Sequence, residues 1–114
     1  MVDLDGTLLT SDRQIAPIDL NALTRLREEG YLVAIATGRS NYSFNLLMEK
    51  LGYSDQTSSL PVDYVIFSTG AGIMDFPDNK ILKSFSLSSE DVRCASEYLE
   101  LSGLDYMIHR PVPD

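Results

Sequence analysis

Short apolar segments alternate with amphipathic helical patterns over the first two thirds of this chain. Residues 31–36 and 64–67 are almost continuously apolar, which is typical of strands buried on both faces of a parallel sheet. Residues 17–30 and 40–52 each repeat apolar residues every three or four positions, begin at a proline or serine and end at a glycine, as helices do. Residues 1–2 form the stub of an earlier strand. Strands and helices in this order predict right-handed crossovers and an α/β fold with a parallel sheet.

Length and charge restrict the classes of protein to which the chain can belong. Its 114 residues suffice for one compact domain or for a piece of a larger one. Seventeen acidic residues against nine basic ones give a net charge of −8, which repels nucleic acid and anionic membranes. No apolar run approaches the roughly 18 residues that span a bilayer, and the acidic first residues do not fit a signal peptide. A single cysteine excludes an internal disulfide and a cysteine-rich metal site. We therefore expect a cytoplasmic protein that binds neither nucleic acid nor membrane.

The pattern changes after residue 70. Residues 72–85 predict a β-hairpin around a proline-containing turn. Residues 88–103 predict a helix with a serine at its N-terminus and a glycine at its end, and the alternation at residues 104–108 predicts a further strand. We expect a domain boundary after residue 84, so that residues 1–84 form a parallel-sheet core and residues 85–114 begin a second α/β unit.

Two carboxylates, Asp3 and Asp5, follow the first strand directly. The carboxyl ends of parallel strands are where an open sheet binds ligands, and Gly6 allows a tight turn there. Two hard oxygen ligands at this spacing suit Mg²⁺, which typically uses one or two carboxylates together with phosphate and water. Asp3 would attack phosphorus to form an aspartyl phosphate, while Asp5 would protonate the leaving oxygen and then activate water. An acidic turn without a function is the alternative for an Asp-x-Asp pattern alone.

A second polar group follows the strand predicted at residues 31–36. Thr37 supplies a hydroxyl and Gly38 a backbone amide, and the helix that begins after Arg39 supplies its N-terminus, a combination that favours an anion. A plain strand-to-helix turn with a capping side chain is the alternative for these residues alone. Because neighbouring parallel strands end at the same edge of a sheet, we expect Thr37 to lie near Asp3. The two groups together predict an anion site that faces a metal site.

Three segments resemble motifs of the haloacid dehalogenase-like (HAD) hydrolases. Residues 3–8 (DLDGTL) resemble the first motif of that superfamily, and residues 35–39 (IATGR) resemble the second motif of its Cof-type branch. Residues 68–73 (STGAGI) resemble the segment that leaves the third strand in that branch. The resemblance implies a three-layer α/β sandwich with a Rossmann-like parallel sheet, and it implies that residues 85–114 begin an α/β cap domain.

The same resemblance implies a role for each residue of the two motifs. Asp3 corresponds to the nucleophile and a metal ligand, and Asp5 to the acid/base whose backbone carbonyl also contacts Mg²⁺. Thr37, Gly38 and Arg39 correspond to the residues that bind the phosphorylated substrate.

The chain departs from the family pattern at several points. Thr69 stands where the branch usually has an asparagine, so no side-chain amide is available there. The family's third motif, a lysine, and its fourth, an acidic pair that completes the Mg²⁺ site, follow the cap, and nothing in this chain matches them. We therefore expect these residues to be the N-terminal part of a longer enzyme, by truncation or by gene shortening, and to be inactive by themselves.

The predicted function is Mg²⁺-dependent hydrolysis of a small phosphorylated metabolite, a sugar phosphate or a nucleotide-like compound, through an aspartyl phosphate. A phosphomutase uses the same chemistry and remains open. Two other classes remain open as well. One is a non-catalytic fragment that binds a partner or regulates a relative, which the missing motifs favour. The other is a phosphoacceptor switch, which two carboxylates at one strand end allow.

Overall fold

The computed structural model of the protein describes residues 1–53 and 60–111. Five strands and three helices form within these ranges. In chain order they are β1 (Val2–Asp3), α1 (Pro17–Glu28), β2 (Ala34–Ala36), α2 (Asn41–Leu51), β3 (Tyr64–Phe67), β4 (Gly72–Asp75), β5 (Lys80–Ser84) and α3 (Ser89–Leu101). A 3₁₀ turn, Ser68–Gly70, joins β3 to β4.

The five strands form one mixed sheet in the order β1-β2-β3-β4-β5. Strands β1, β2 and β3 run parallel, with the two helical crossovers between them, so the predicted α/β class is confirmed. The predicted hairpin of β4 and β5 is also present. It continues the same sheet, because β4 pairs antiparallel with β3 and β5 antiparallel with β4. The sheet is therefore parallel only over its first three strands.

Local chemistry sets the ends of α2. The Ser40 side chain accepts a hydrogen bond from the Ser43 backbone N–H at 3.2 Å and so caps the helix N-terminus. Gly52 follows the last turn in the left-handed conformation (φ 82°), which favours glycine. Phe44 and Met48 on the inner face are buried in the core. Within the described ranges, no helix combines the length and the hydropathy needed to cross a bilayer.

The core lies on one side of the sheet. Val65 and Phe67 of β3 are fully buried, whereas the alternating residues Tyr64 and Ile66 are only partly buried. The prediction that these strands are buried on both faces is therefore wrong for one face. The core cluster joins the buried strand residues to α1 and α2 through the following residues: Leu4, Leu8, Leu9, Ile15, Leu23, Val33, Ile35, Phe44, Leu47, Met48, Leu60, Val62, Val65, Phe67 and Met74.

Residues 85–111 have no buried side chain. Helix α3 is capped as predicted, since Ser88 Oγ accepts a hydrogen bond from the Asp91 N–H at 3.1 Å. The strand predicted at residues 104–108 is wrong. No described strand lies beside this segment to complete a hydrogen-bonded ladder, and the segment has no regular secondary structure. Residues 112–114 of the predicted second unit lie outside the described residues, and the boundary after residue 84 stays a prediction.

Candidate functional site

A tight turn follows β1 and presents two carboxylates. Leu9 N donates a hydrogen bond to Leu4 O at 2.9 Å, and both leucines are buried in the core. Between them Gly6 has φ 78°, a left-handed backbone that side chains with a Cβ rarely adopt. The side chains of Asp3 and Asp5 remain exposed on this anchored turn. The core therefore holds the turn in place while both carboxylates face solvent.

The register of β1 and β2 brings the two predicted groups to one edge of the sheet. Asp3 pairs with Ala36, so Thr37 follows directly beyond the paired residues. Thr37 is buried, and its hydroxyl oxygen accepts a hydrogen bond from the Arg39 backbone N–H at 3.1 Å. A hydroxyl can donate as well as accept, and hydrogen bonding by Thr37 contributes to the lowered pKa of Asp5. The backbone N–H of Gly38, among the described residues, donates to no backbone carbonyl.

Arg39 and Asp5 form a bidentate ion pair across this edge. Arg39 Nη2 lies 2.7 Å from Asp5 Oδ1, and Arg39 Nε lies 2.9 Å from Asp5 Oδ2. Arg39 Nη1 also donates to Ser43 Oγ at 3.3 Å, on the first turn of α2. The guanidinium is therefore held between the turn after β1 and the start of α2. The sequence predicted Arg39 as a substrate contact. In the structure Arg39 also forms an ion pair with Asp5, one of the two predicted catalytic carboxylates.

This ion pair shifts the pKa values of both partners. Hydrogen bonding to Arg39 is the largest cause that holds the pKa of Asp5 below its ordinary value of 3.8, against an opposing effect of burial. Asp5 in turn raises the pKa of Arg39. Because the folded state favours the ionised carboxylate, the pair stabilises the fold above the ordinary pKa of aspartate and loses this contribution as the pH falls below it.

Replacing Arg39 with glutamine is expected to raise the pKa of Asp5 toward 3.8, because the substitution removes the paired guanidinium. Carboxyl-carbon NMR over a pH titration measures this pKa. Arg25→Gln removes the same charge from an exposed position on α1 and serves as the control. If the pKa of Asp5 is the same in the wild-type protein and in Arg39→Gln, the ion pair does not form in solution.

The turn that leaves β3 lies in the segment that resembles the family at residues 68–73, but its left-handed backbone was not predicted. Ser68 (φ 48°) and Thr69 (φ 55°) both adopt the left-handed backbone, which costs a non-glycine residue roughly 1–3 kcal/mol. Two hydrogen bonds hold them, from Ser68 N to Arg39 O at 2.8 Å and from Thr69 N to Thr37 O at 3.1 Å. The strained turn is thus fastened to the predicted anion site. The Cof-type branch usually has an asparagine at the position of Thr69. That asparagine could have indicated the left-handed conformation, because asparagine tolerates it.

The exposed oxygens after β1 fit part of a Mg²⁺ site. Asp3 offers an exposed carboxylate that also accepts a hydrogen bond from Thr7 Oγ1 at 3.2 Å, whereas Arg39 holds the side chain of Asp5. Mg²⁺ is commonly held by one or two carboxylates, with water and phosphate in the remaining positions. Across residues 1–53 and 60–111, no three acidic, histidine or cysteine side chains are grouped to hold a metal ion. The donors present therefore fit an incomplete shell.

Comparison with known proteins identifies the family. Residues 1–111 match the family model described as haloacid dehalogenase-like hydrolase. The chain belongs to this family. The matched range includes residues 3–8 and 35–39, the two segments that resemble HAD motifs.

Three similar proteins each match most of this chain but less than half of their own length. The chain is 28% identical to phosphatase YwpJ of Bacillus subtilis over 107 residues, which cover 94% of this chain and 34% of that protein. It is 29% identical to an HMP-PP phosphatase of Serratia proteamaculans, over 93% of this chain and 46% of that protein. Among solved structures, the sugar phosphatase BT4131 of HAD subclass IIB superposes with a TM-score of 0.65 at 25% identity, covering 90% of this chain and 36% of its own. The predicted HAD-like fold is confirmed.

Proposed function

We propose that this HAD-family chain carries the nucleophile and the phosphate-binding edge of a Mg²⁺-dependent phosphatase. The proposal rests on the pairing of Asp3 with Ala36, because this register brings an exposed carboxylate to the strand edge at which Thr37 and Gly38 follow. A nucleophile and an anion site at one strand edge meet the main demand of phosphoryl transfer, which is positioning and charge stabilisation. The named phosphatases among its relatives support the same reaction.

The proposed reaction has two steps. In the first, a carboxylate oxygen of Asp3 attacks phosphorus, the bond to the ester oxygen breaks, and Asp5 gives that oxygen a proton. In the second, water attacks the aspartyl phosphate, Asp5 takes a proton from the water, and inorganic phosphate leaves while Asp3 is regenerated. Thr37 and Gly38 hold the phosphoryl oxygens in both steps. Bound Mg²⁺, held by Asp3 and the Asp5 carbonyl, would neutralise charge between the nucleophile and the phosphate.

The ion pair between Arg39 and Asp5 must open for the first step. Asp5 gives up a proton only if it is protonated, and the neighbouring guanidinium disfavours that form. A phosphate bound near Arg39 would compete with Asp5 for the guanidinium and so weaken the pair. The binding of substrate would in this way prepare the acid that the reaction uses.

The proposed substrate is a small phosphorylated metabolite. Relatives of the chain are named for HMP-PP and for sugar phosphates, which are compounds of this class. The net charge of −8 disfavours nucleic acid as a partner. We further propose that residues 1–84 belong to the catalytic core and residues 85–114 to a cap, and that the protein acts in the cytoplasm. The 114 residues by themselves are still expected to be inactive.

The proposed function is tested on the natural protein that contains these residues. We expect hydrolysis of p-nitrophenyl phosphate in the presence of Mg²⁺, loss of hydrolysis on addition of EDTA, and acid-stable label on Asp3 after a rapid quench with ³²P-labelled substrate. Hydrolysis that survives EDTA and leaves no label on Asp3 would reject the proposal.

Replacing Thr37 with valine is expected to lower kcat/KM by roughly ten- to a hundredfold. The substitution keeps the β-branched shape and removes a hydroxyl whose hydrogen bond to a charged group contributes about 1.5–3 kcal/mol. Thr24→Val, which removes an exposed hydroxyl bonded to Leu20 O within α1, is the matched control and should leave kcat/KM unchanged. An unchanged kcat/KM for Thr37→Val would mean that the Gly38 amide and the helix terminus bind phosphate without the hydroxyl.

A further inference from the structure

A groove runs between the loop at residues 12–14 and one face of α2. Its volume is about 240 Å³, and it opens beside Arg39, at the edge that carries the proposed reaction. Its helical wall extends from Ser43 to Leu51, eight residue steps that correspond to about 12 Å along the helix. The groove is therefore long enough for a small organic group attached to a phosphate and too small for a larger partner.

The charge of this groove is opposite to that of the whole chain. Three of the nine basic residues line it, Arg13, Arg39 and Lys50, together with a single carboxylate from Asp12. Arg39 is paired with Asp5, but neither Arg13 nor Lys50 forms an ion pair with any described residue. In a chain of net charge −8, two unpaired cations in one groove favour an anionic ligand.

A closed loop holds Arg13 in the wall of the groove. Arg13 N donates to Thr10 O at 2.9 Å and Thr10 N donates to Gln14 O at 2.8 Å, which closes the loop. Arg13 adopts a left-handed backbone (φ 56°), which is uncommon for a residue other than glycine. Arg13 and Arg39 both line this groove.

We propose that this groove binds a second anionic group, a carboxylate or a phosphate, on the part of the substrate that leaves with the ester oxygen. Arg13 would pair with this group, Lys50 would add positive charge at the far end, and Leu47 and Leu51 would contact the carbon chain. The inference rests on the phosphatase function proposed above and narrows its substrates to phosphate esters that carry another negative charge.

The test compares two ligands that differ in one group. Glycerol 3-phosphate and 3-phosphoglycerate share the phosphate and the carbon chain, and only the second carries a carboxylate. Titrating each into the isotope-labelled natural protein that contains these residues, without Mg²⁺ and with amide chemical shifts as the readout, measures both affinity and location. We expect 3-phosphoglycerate to bind about three- to fivefold more tightly, and to shift the amides of Arg13, Gln14 and Ser43 in addition to those of Thr37 and Gly38. Fructose 6-phosphate against fructose 1,6-bisphosphate provides the same comparison for a second phosphate.

Two variants assign the effect to the groove. Arg13→Gln should abolish the preference for the second anion and leave binding of glycerol 3-phosphate unchanged, whereas Arg25→Gln, which removes the same charge from α1, should keep the preference. Equal affinities for both ligands of each pair, or a preference that survives in Arg13→Gln, would overturn the inference while leaving the phosphatase proposal intact. If neither glycerol 3-phosphate nor fructose 6-phosphate shifts Thr37 and Gly38, the proposed phosphate site itself fails, and the inference fails with it.

Discussion

Replacing Asp3 with asparagine is expected to abolish phosphate ester hydrolysis, with a loss in kcat of at least about 10³-fold. The amide has nearly the same volume as the carboxylate, but it is a poor nucleophile and supplies no negative charge to a metal ion. The fold should survive, because Asp3 is exposed and an asparagine oxygen can still accept the hydrogen bond from Thr7 Oγ1. The measurement is steady-state hydrolysis of p-nitrophenyl phosphate by the natural protein that contains these residues.

A matched control separates loss of the nucleophile from a general loss of charge. Asp78→Asn changes the same functional group at an exposed position in the β4–β5 turn and should leave kcat unchanged. Circular dichroism of both variants reports whether the fold is retained. If Asp3→Asn keeps a tenth of the wild-type turnover, which corresponds to a change of only about 1.4 kcal/mol in the barrier, Asp3 is not the nucleophile.

The parts of this fold that depend on neighbouring residues could be predicted from the sequence. Helix α2 begins at the Ser40 cap and ends before Gly52 because both signals act on the backbone within a few residues. The proximity of Asp3 and Thr37 could also be predicted, although the two are far apart in sequence. The rule that neighbouring parallel strands end at one edge converts their positions in the chain into positions in space.

Features that depend on a distant partner could not be predicted. The ion pair between Arg39 and Asp5 joins residues 34 positions apart, and nothing in either motif shows that the two side chains bond each other. The alternation at residues 104–108 resembles a strand, but a strand forms only beside another one, and no described strand accompanies it. The left-handed backbone of Ser68 and Thr69 likewise depends on hydrogen bonds to the neighbouring turn.

Replacing Gly72 with alanine is expected to destabilise the fold by about 3 kcal/mol, a large part of the stability of a small domain. Gly72 lies opposite Phe67 in the β3–β4 pair, and the Phe67 ring covers the space where a side chain would stand. A Cβ on Gly72 would lie 2.8 Å from Phe67 Cε1 and closer still to Cε2 and Cζ. Because Phe67 is fully buried, its ring can move only by displacing the rest of the core.

Urea unfolding followed by circular dichroism measures this effect, and a second glycine provides the control. Gly38→Ala introduces the same methyl group, but the new Cβ would lie at an ordinary contact distance of 3.7 Å from Thr69 Oγ1, so its free energy of unfolding should change by less than about 1 kcal/mol. Phe67→Leu replaces the ring with a smaller side chain. Combined with Gly72→Ala, it should recover part of the lost free energy of unfolding, with a coupling energy of about 1 kcal/mol or more. Gly72→Ala with wild-type stability, or full additivity of the two substitutions, would contradict the close contact. Non-additive effects would show that Phe67 stabilises this end of the sheet because residue 72 has no side chain.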